Sequence, residues 1–152
     1  MPNVMEVRYV VLCEHAEATD GKHFIAGGGV SNISVPAVGA QPGPLVLPRF
    51  AIALAVDIPY GATGETHTVR VAIEDADGHP LLPQPMESQL EVGRPPGFRQ
   101  DDWVTPKMAY NIQSLAFPKE GIYSVVVDLD GTESARQSFR IVKVQAMQPL
   151  QV

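Results

Sequence analysis

Cys13, His15 and His23 flank the first turn of the sequence, and strand alternation would set Cys13 and His15 on one face, where a thiolate and an imidazole could share a zinc ion. No CxxC or HxxxH spacing supports such a site, and a fourth ligand would have to come from Glu14, Glu17 or Asp20. A buried cysteine serving as a small hydrophobe is the simpler reading. Asp75, Asp77 and Gly78 in DADGH, and Asp128, Asp130, Gly131 and Glu133 in DLDGTE, look like pieces of calcium loops. Each lacks the full oxygen series of such a loop, whereas Asp-Gly commonly closes a hairpin because glycine accepts the positive φ there. Ser31, Ser34 and Ser114 have no G-x-S-x-G context and no base at a recognisable spacing. Gly27, Gly28 and Gly29 lack the Lys-Ser/Thr and the helix of a phosphate loop. The chemistry-bearing residues therefore point to no catalytic residue, no metal and no cofactor, and to a chain that is not an enzyme.

Surfaces are the stronger candidates. The stretch GRPPGFRQDDW, Gly93 to Trp103, joins Arg94, Phe98, Arg99 and Trp103 to two prolines that stiffen the loop. Arginine and aromatic side chains on a stiff loop are the usual material of binding hot spots, so these four form a candidate partner-binding set; the competing reading is that Phe98 and Trp103 cap one end of the core. Ala51, Ala53 and Ala55 are the second candidate. They alternate with Phe50, Ile52 and Leu54, and if the large residues face the core, the alanines leave a flat apolar patch that something must cover. A second copy of the chain is the expected cover, making these alanines an oligomer interface and the protein a homo-oligomer.

The elements that must position these residues are strands. Helical periodicity is hard to find in the 152 residues, while two-residue alternation and turn signals recur throughout. Val4 to Glu14 reads as a strand with Met5, Val7, Tyr9, Val11 and Cys13 on one face; EATDGKH supplies an Asp20-Gly21 turn; and His23 to Val35 reads as a second strand whose three glycines mark a bulge or a close backbone approach. PAVGAQPGPLVLP reads as an irregular connection. Further strands are expected at Arg49 to Ile58, at Thr66 onward to an Asp77-Gly78 hairpin turn, at Met86 to Val92, at Trp103 to Ile112 with Pro106 forcing a bulge or an edge, and at Ile122 to Leu129 and Glu133 to Val144 around an Asp130-Gly131 turn. About eight strands in one domain over residues 1–144 imply an all-β, two-sheet antiparallel sandwich. Its expected core is Phe50, Ile52, Leu54, Val69, Val71, Ile73, Tyr123, Val125, Val127, Phe139 and Ile141. The tail QAMQPLQV, 145–152, has no pattern and is expected to be mobile.

Composition narrows the setting. Lys and Arg number 11 against 17 Asp and Glu, a formal net charge of −6, and no basic cluster stands out to meet phosphates, so a nucleic-acid partner is not expected. The most apolar window, LVLPRFAIALAVDIP, contains Pro48 and Arg49 and is too short to span a bilayer as a helix. The N-terminal residues do not read as a signal peptide, and with Cys13 alone the expected compartment is the cytoplasm.

EGIY, Glu120 to Tyr123, resembles the tyrosine corner of immunoglobulin-like sandwiches, in which a tyrosine hydroxyl ties back to the preceding backbone. Val125 stands where an immunoglobulin domain would place a cysteine, consistent with a cytoplasmic variant. YVVLCEHAEATDGKHFIAGGGVSNISV, HTVRVAIEDADGHPLL and LAFPKEGIYSVVVDLDG together resemble a family of small uncharacterised bacterial proteins common in actinobacteria. That resemblance implies a β-sandwich and carries no activity to any residue. The expected function is a non-enzymatic binding or assembly module that self-associates and meets a protein partner. The alternative is a small-ligand carrier or enzyme with a cleft between its sheets.

Overall fold

The structure, a computed structural model, describes residues 4–36 and 43–144. Eleven strands and one 3₁₀ turn follow in order: β1 (Glu6–Cys13), β2 (His15–Thr19), β3 (Lys22–Ala26), β4 (Asn32–Pro36), β5 (Leu45–Pro59), the turn Tyr60–Ala62, β6 (Thr66–Asp75), β7 (Met86–Glu91), β8 (Trp103–Val104), β9 (Lys107–Phe117), β10 (Gly121–Leu129) and β11 (Thr132–Val144). One sheet centres on β5, flanked by β1 and β9 and joined at its end by β8; the other runs β4-β11-β10-β6-β7. The expected tail, 145–152, lies outside the described residues. Among the described residues no helix is long and apolar enough to cross a membrane.

The fold is the expected all-β, immunoglobulin-like sandwich, and its interior is the expected one. Phe50, Ile52 and Leu54 meet Val69, Val71, Ile73, Tyr123, Val125, Val127, Phe139 and Ile141 in one buried cluster. Phe117 joins them, packing edge-on to Tyr123 with ring centroids 4.8 Å apart. The Tyr123 hydroxyl donates to the Lys119 carbonyl at 2.6 Å, the back-tie that defines a tyrosine corner.

Several details depart from the sequence reading. Among the described residues there are eleven strands rather than about eight, because the run through Gly27–Gly29 divides into β3 and β4, the run through Pro106 divides into β8 and β9, and His15–Thr19 pairs with Lys22–Ala26 as a separate hairpin. Gly27 is a close approach, as its surroundings suggested: at φ +64, a Cβ there would sit 2.8 Å from the Glu14 side chain. The apolar window is strand from Leu45 onward, with Pro48, which has no N–H, opposite Ser114 at φ +55. One pair is parallel, β4 on β11.

The single-face reading of β1 is also corrected. The register with β5 slips between Val7 and Tyr9, so Arg8 is an extra residue and every side chain after it changes face. Val7, Val10 and Leu12 contribute to the core, while Val11 and Cys13 turn to the outer side of the sheet.

On that outer side lie Ala51, Ala53 and Ala55, each with no exposed surface. Where a second copy of the chain was the expected cover, the β2–β3 hairpin of the same chain folds back over the sheet. Ala16 packs with Cys13, Ala51 and Ala53, and Val11 and Ala109 close the sides. The Asn111 side chain behaves like a strand: its Oδ1 accepts the Ala16 N–H at 3.1 Å and its Nδ2 donates to the Ala16 carbonyl at 2.8 Å. His23 reaches from β3 to the Met108 carbonyl at 2.9 Å and the Tyr9 hydroxyl at 2.6 Å. Because a carbonyl only accepts, Nε2 carries a proton and donates to Met108.

Candidate functional site

Four chain segments converge where β5 ends. The Arg8 bulge, which re-aims a side chain that regular pairing would have placed elsewhere, directs its guanidinium to Asp57 at 2.8 Å and over the Trp103 ring at 5.8 Å. Asp57 also accepts from the Thr105 hydroxyl at 2.6 Å. Trp103 enters through β8, paired with Pro59. The loop between β7 and β8 is shaped by successive turns: Phe98 N–H donates to Pro95 O at 3.1 Å across Pro96 and Gly97, whose φ of +80 suits a type II turn. Arg99 N–H then donates to Asp102 Oδ2 at 2.8 Å, and Asp102 N–H to Arg99 O at 2.9 Å.

The four loop residues singled out in the sequence separate into two groups. Arg94 is a brace. Its Nε donates to Thr63 Oγ1 at 2.7 Å, Nη1 to the Tyr60 hydroxyl at 3.0 Å and Nη2 to the Tyr60 carbonyl at 3.3 Å, with the guanidinium carbon 3.8 Å from the Tyr60 ring centroid. Phe98 stacks on the same tyrosine at 5.7 Å. Trp103 and Arg99 face outward: Trp103 is 47% exposed, and the Arg99 side chain is 81% exposed. Beside Trp103 runs a groove of about 200 Å³ lined by Glu6, Arg8, Asp57, Asp101 and Asp102 together with Val4, Pro59 and Gln100, so four acidic residues line it against one arginine.

A second set of contacts supports this end from beneath. His67 is 6% exposed, with Nδ1 2.7 Å from Asp130 Oδ2 and Nε2 2.6 Å from the Ala62 carbonyl. Asp130 Oδ1 accepts the Thr68 N–H at 2.8 Å. Burial drives the His67 ring toward neutrality, but the Ala62 carbonyl, the Asp130 carboxylate and the charge of Glu65 outweigh it and hold its pKa above the ordinary imidazole value. The Thr68 N–H and the His67 ring hold the Asp130 carboxyl below its usual range, against a smaller effect of burial.

Sequence reading missed Arg8, Asp57, Tyr60 and the His67–Asp130 pair. His67 carried a usable signal, since two-residue alternation sets it on the face of Val69, Val71 and Ile73, and a histidine on a core face needs partners. Asp75, Asp77 and His79 have ligand atoms within 4.8 Å of one another and could hold a cation. Their arrangement is nevertheless that of a turn, with Asp75 Oδ1 accepting the N–H groups of Asp77 and His79 at 2.9 Å each. The Cys13 thiol and the His15 ring do not meet: Cys13 is buried under the hairpin, and the ring faces Glu17 at 3.2 Å.

Similarity to solved structures is weak. A β-glucosidase from Listeria innocua in complex with glucose aligns at 8% identity and a TM-score of 0.46 over 91% of this chain and 16% of that one. An immunoglobulin-like protein from Pseudomonas aeruginosa aligns at 13% identity and a TM-score of 0.42 over 91% and 97%. A glycosyl hydrolase family 2 member from Bacteroides cellulosilyticus aligns at 14% and 0.39 over 67% and 15%. No curated protein matches the sequence. One family model spans the sandwich from the Arg8 bulge to Val142 in β11, so the chain belongs to DUF6941, a family of unknown function, which it matches over residues 8–142.

Proposed function

We propose that this protein is a non-enzymatic binding module that takes an Arg- or Lys-bearing segment of a partner protein in the groove beside Trp103. The observation that carries this reading is an exposed tryptophan on the wall of a groove lined by four acidic residues and one arginine. A cationic side chain there would gain both a π face and compensating negative charge. Asp57 is already engaged by Arg8, and Asp102 caps its own loop, which leaves Glu6 and Asp101 as the acceptors offered to a partner. The Tyr60–Arg94–Phe98 stack makes the loop rigid, lowering the entropy lost on binding. Self-association is not part of this reading, because the alanine face that suggested it is covered by the chain's own hairpin. A reducing compartment such as the cytoplasm suits a single thiol and a sandwich with valine at position 125.

Trp103 is the only tryptophan, so its fluorescence reports on the groove directly. Titration with short Arg-rich, Lys-rich and Asp-rich peptides should give a saturable change with the basic sets alone, weakened by salt and by the double change Glu6→Gln with Asp101→Asn. No response, or a response indifferent to peptide charge, would overturn the proposal.

A further inference from the structure

His67 sits at a junction the binding reading does not use. Both of its ring nitrogens lie within 2.7 Å of acceptors, one a backbone carbonyl that can never donate and the other a carboxylate that already accepts the Thr68 N–H. Two such contacts require two N–H groups, which only the imidazolium has. The groups facing it come from three directions. Asp130 reaches in from the β10–β11 turn, Glu65 adds negative charge just before β6, and the Tyr60–Ala62 turn presents the Ala62 carbonyl, while β7 brings the uncharged Leu90 opposite in the ladder. No cation is among them.

We propose that His67 is a proton-operated latch on the Tyr60–Ala62 turn: the charged ring closes it, and the neutral ring releases the Ala62 carbonyl and loosens the stack of Arg94 and Phe98 on Tyr60. When the ring loses a proton, the remaining N–H stays with the ionised Asp130, the stronger acceptor, and the Nε2 lone pair then points at the Ala62 oxygen. Two electron-rich atoms at that separation repel, so the turn must shift. What shifts is the anchor of the platform: the Tyr60 carbonyl accepts from Thr63 N–H at 3.3 Å, from the Thr63 hydroxyl at 2.7 Å and from Arg94 Nη2 at 3.3 Å, and Gly64 N–H ties the same segment to Val92 O at 2.8 Å. The raised pKa of His67 agrees with this geometry.

The test uses the full chain and no partner, so it stands or falls separately from the peptide titration. Nitrogen-15 NMR of the imidazoles should find both His67 nitrogens still protonated above the pH, about 6.5, at which an ordinary histidine loses its proton. Amide exchange at Thr63 and Gly64, corrected for its intrinsic base catalysis, should show opening favoured roughly tenfold per pH unit between the ordinary imidazole value and the His67 pKa. In Asp130→Asn that rise should move to lower pH, and in His67→Gln it should vanish. A His67 that loses its proton at or below the ordinary imidazole value of about 6.5 beside an undisturbed turn, or exchange that follows base catalysis alone in the unmodified protein, would overturn the latch.

Discussion

Tyr123 shows what one hydroxyl contributes when the surrounding ring is already buried. The phenol is 2% exposed, and burial raises its pKa. Tyr123→Phe removes that bond but keeps the ring against Phe117 and Phe139, so it should cost about 0.5–1.5 kcal/mol with the fold intact. Chemical denaturation with an unchanged m-value is the check, and a loss near zero would mean that the carbonyl finds water equally well. Arg94 makes a related point. Its residue type suggested a contact with a partner, but each of its three guanidinium nitrogens donates to the turn at Tyr60 and Thr63, so Arg94 holds the loop's shape.

At the level of elements, the β2–β3 hairpin is the decisive addition to the sandwich, because it covers the outer face of β5. Ala53→Glu would place a carboxylate between the hairpin and the sheet, among Cys13, Ala16 and Ala51; the expected cost is about 3–5 kcal/mol, that of an uncompensated buried charge. Light scattering and denaturation together separate the possibilities: an unfolded or strongly destabilised monomer supports the hairpin as the cover, whereas a stable protein that merely halves in mass would restore the subunit interface. The inward faces of β5, β6, β10 and β11 were legible in the sequence because period two is a local property, and the tyrosine corner was legible because its parts lie four residues apart. The slip at Arg8 was not, since one inserted residue reverses every later side chain in the strand without disturbing its composition. Nor were the pairings that build the candidate site, such as Arg94 with Tyr60 and His67 with Asp130, which are 34 and 63 residues apart. Only the folded chain brings them together.

At the scale of the whole molecule, His67 and Asp130 contribute two opposed shifts to the pH dependence of stability. His67 has its folded pKa raised, so its contribution is complete below its unfolded value of about 6.5 and is lost as pH rises through the folded pKa. Asp130 has its folded pKa lowered, so its contribution is complete above about pH 3.9 and is lost as pH falls through the folded pKa. Together they give a plateau between roughly pH 4 and 6.5, and urea midpoints should fall on both sides of it, with the alkaline fall absent from His67→Gln. The parallel pair of β4 and β11 has a consequence in time. It joins Asn32 to Arg140 and Val35 to Lys143, so it can close only after nearly the whole chain has been gathered. Loop closure over such a span is entropically costly before any of its contacts repay it, and domains dominated by distant strand pairings fold over roughly milliseconds to seconds. During that interval β11 has no neighbour on its β4 side, and a nascent or refolding chain offers there an open strand edge to any other copy that is equally unfinished.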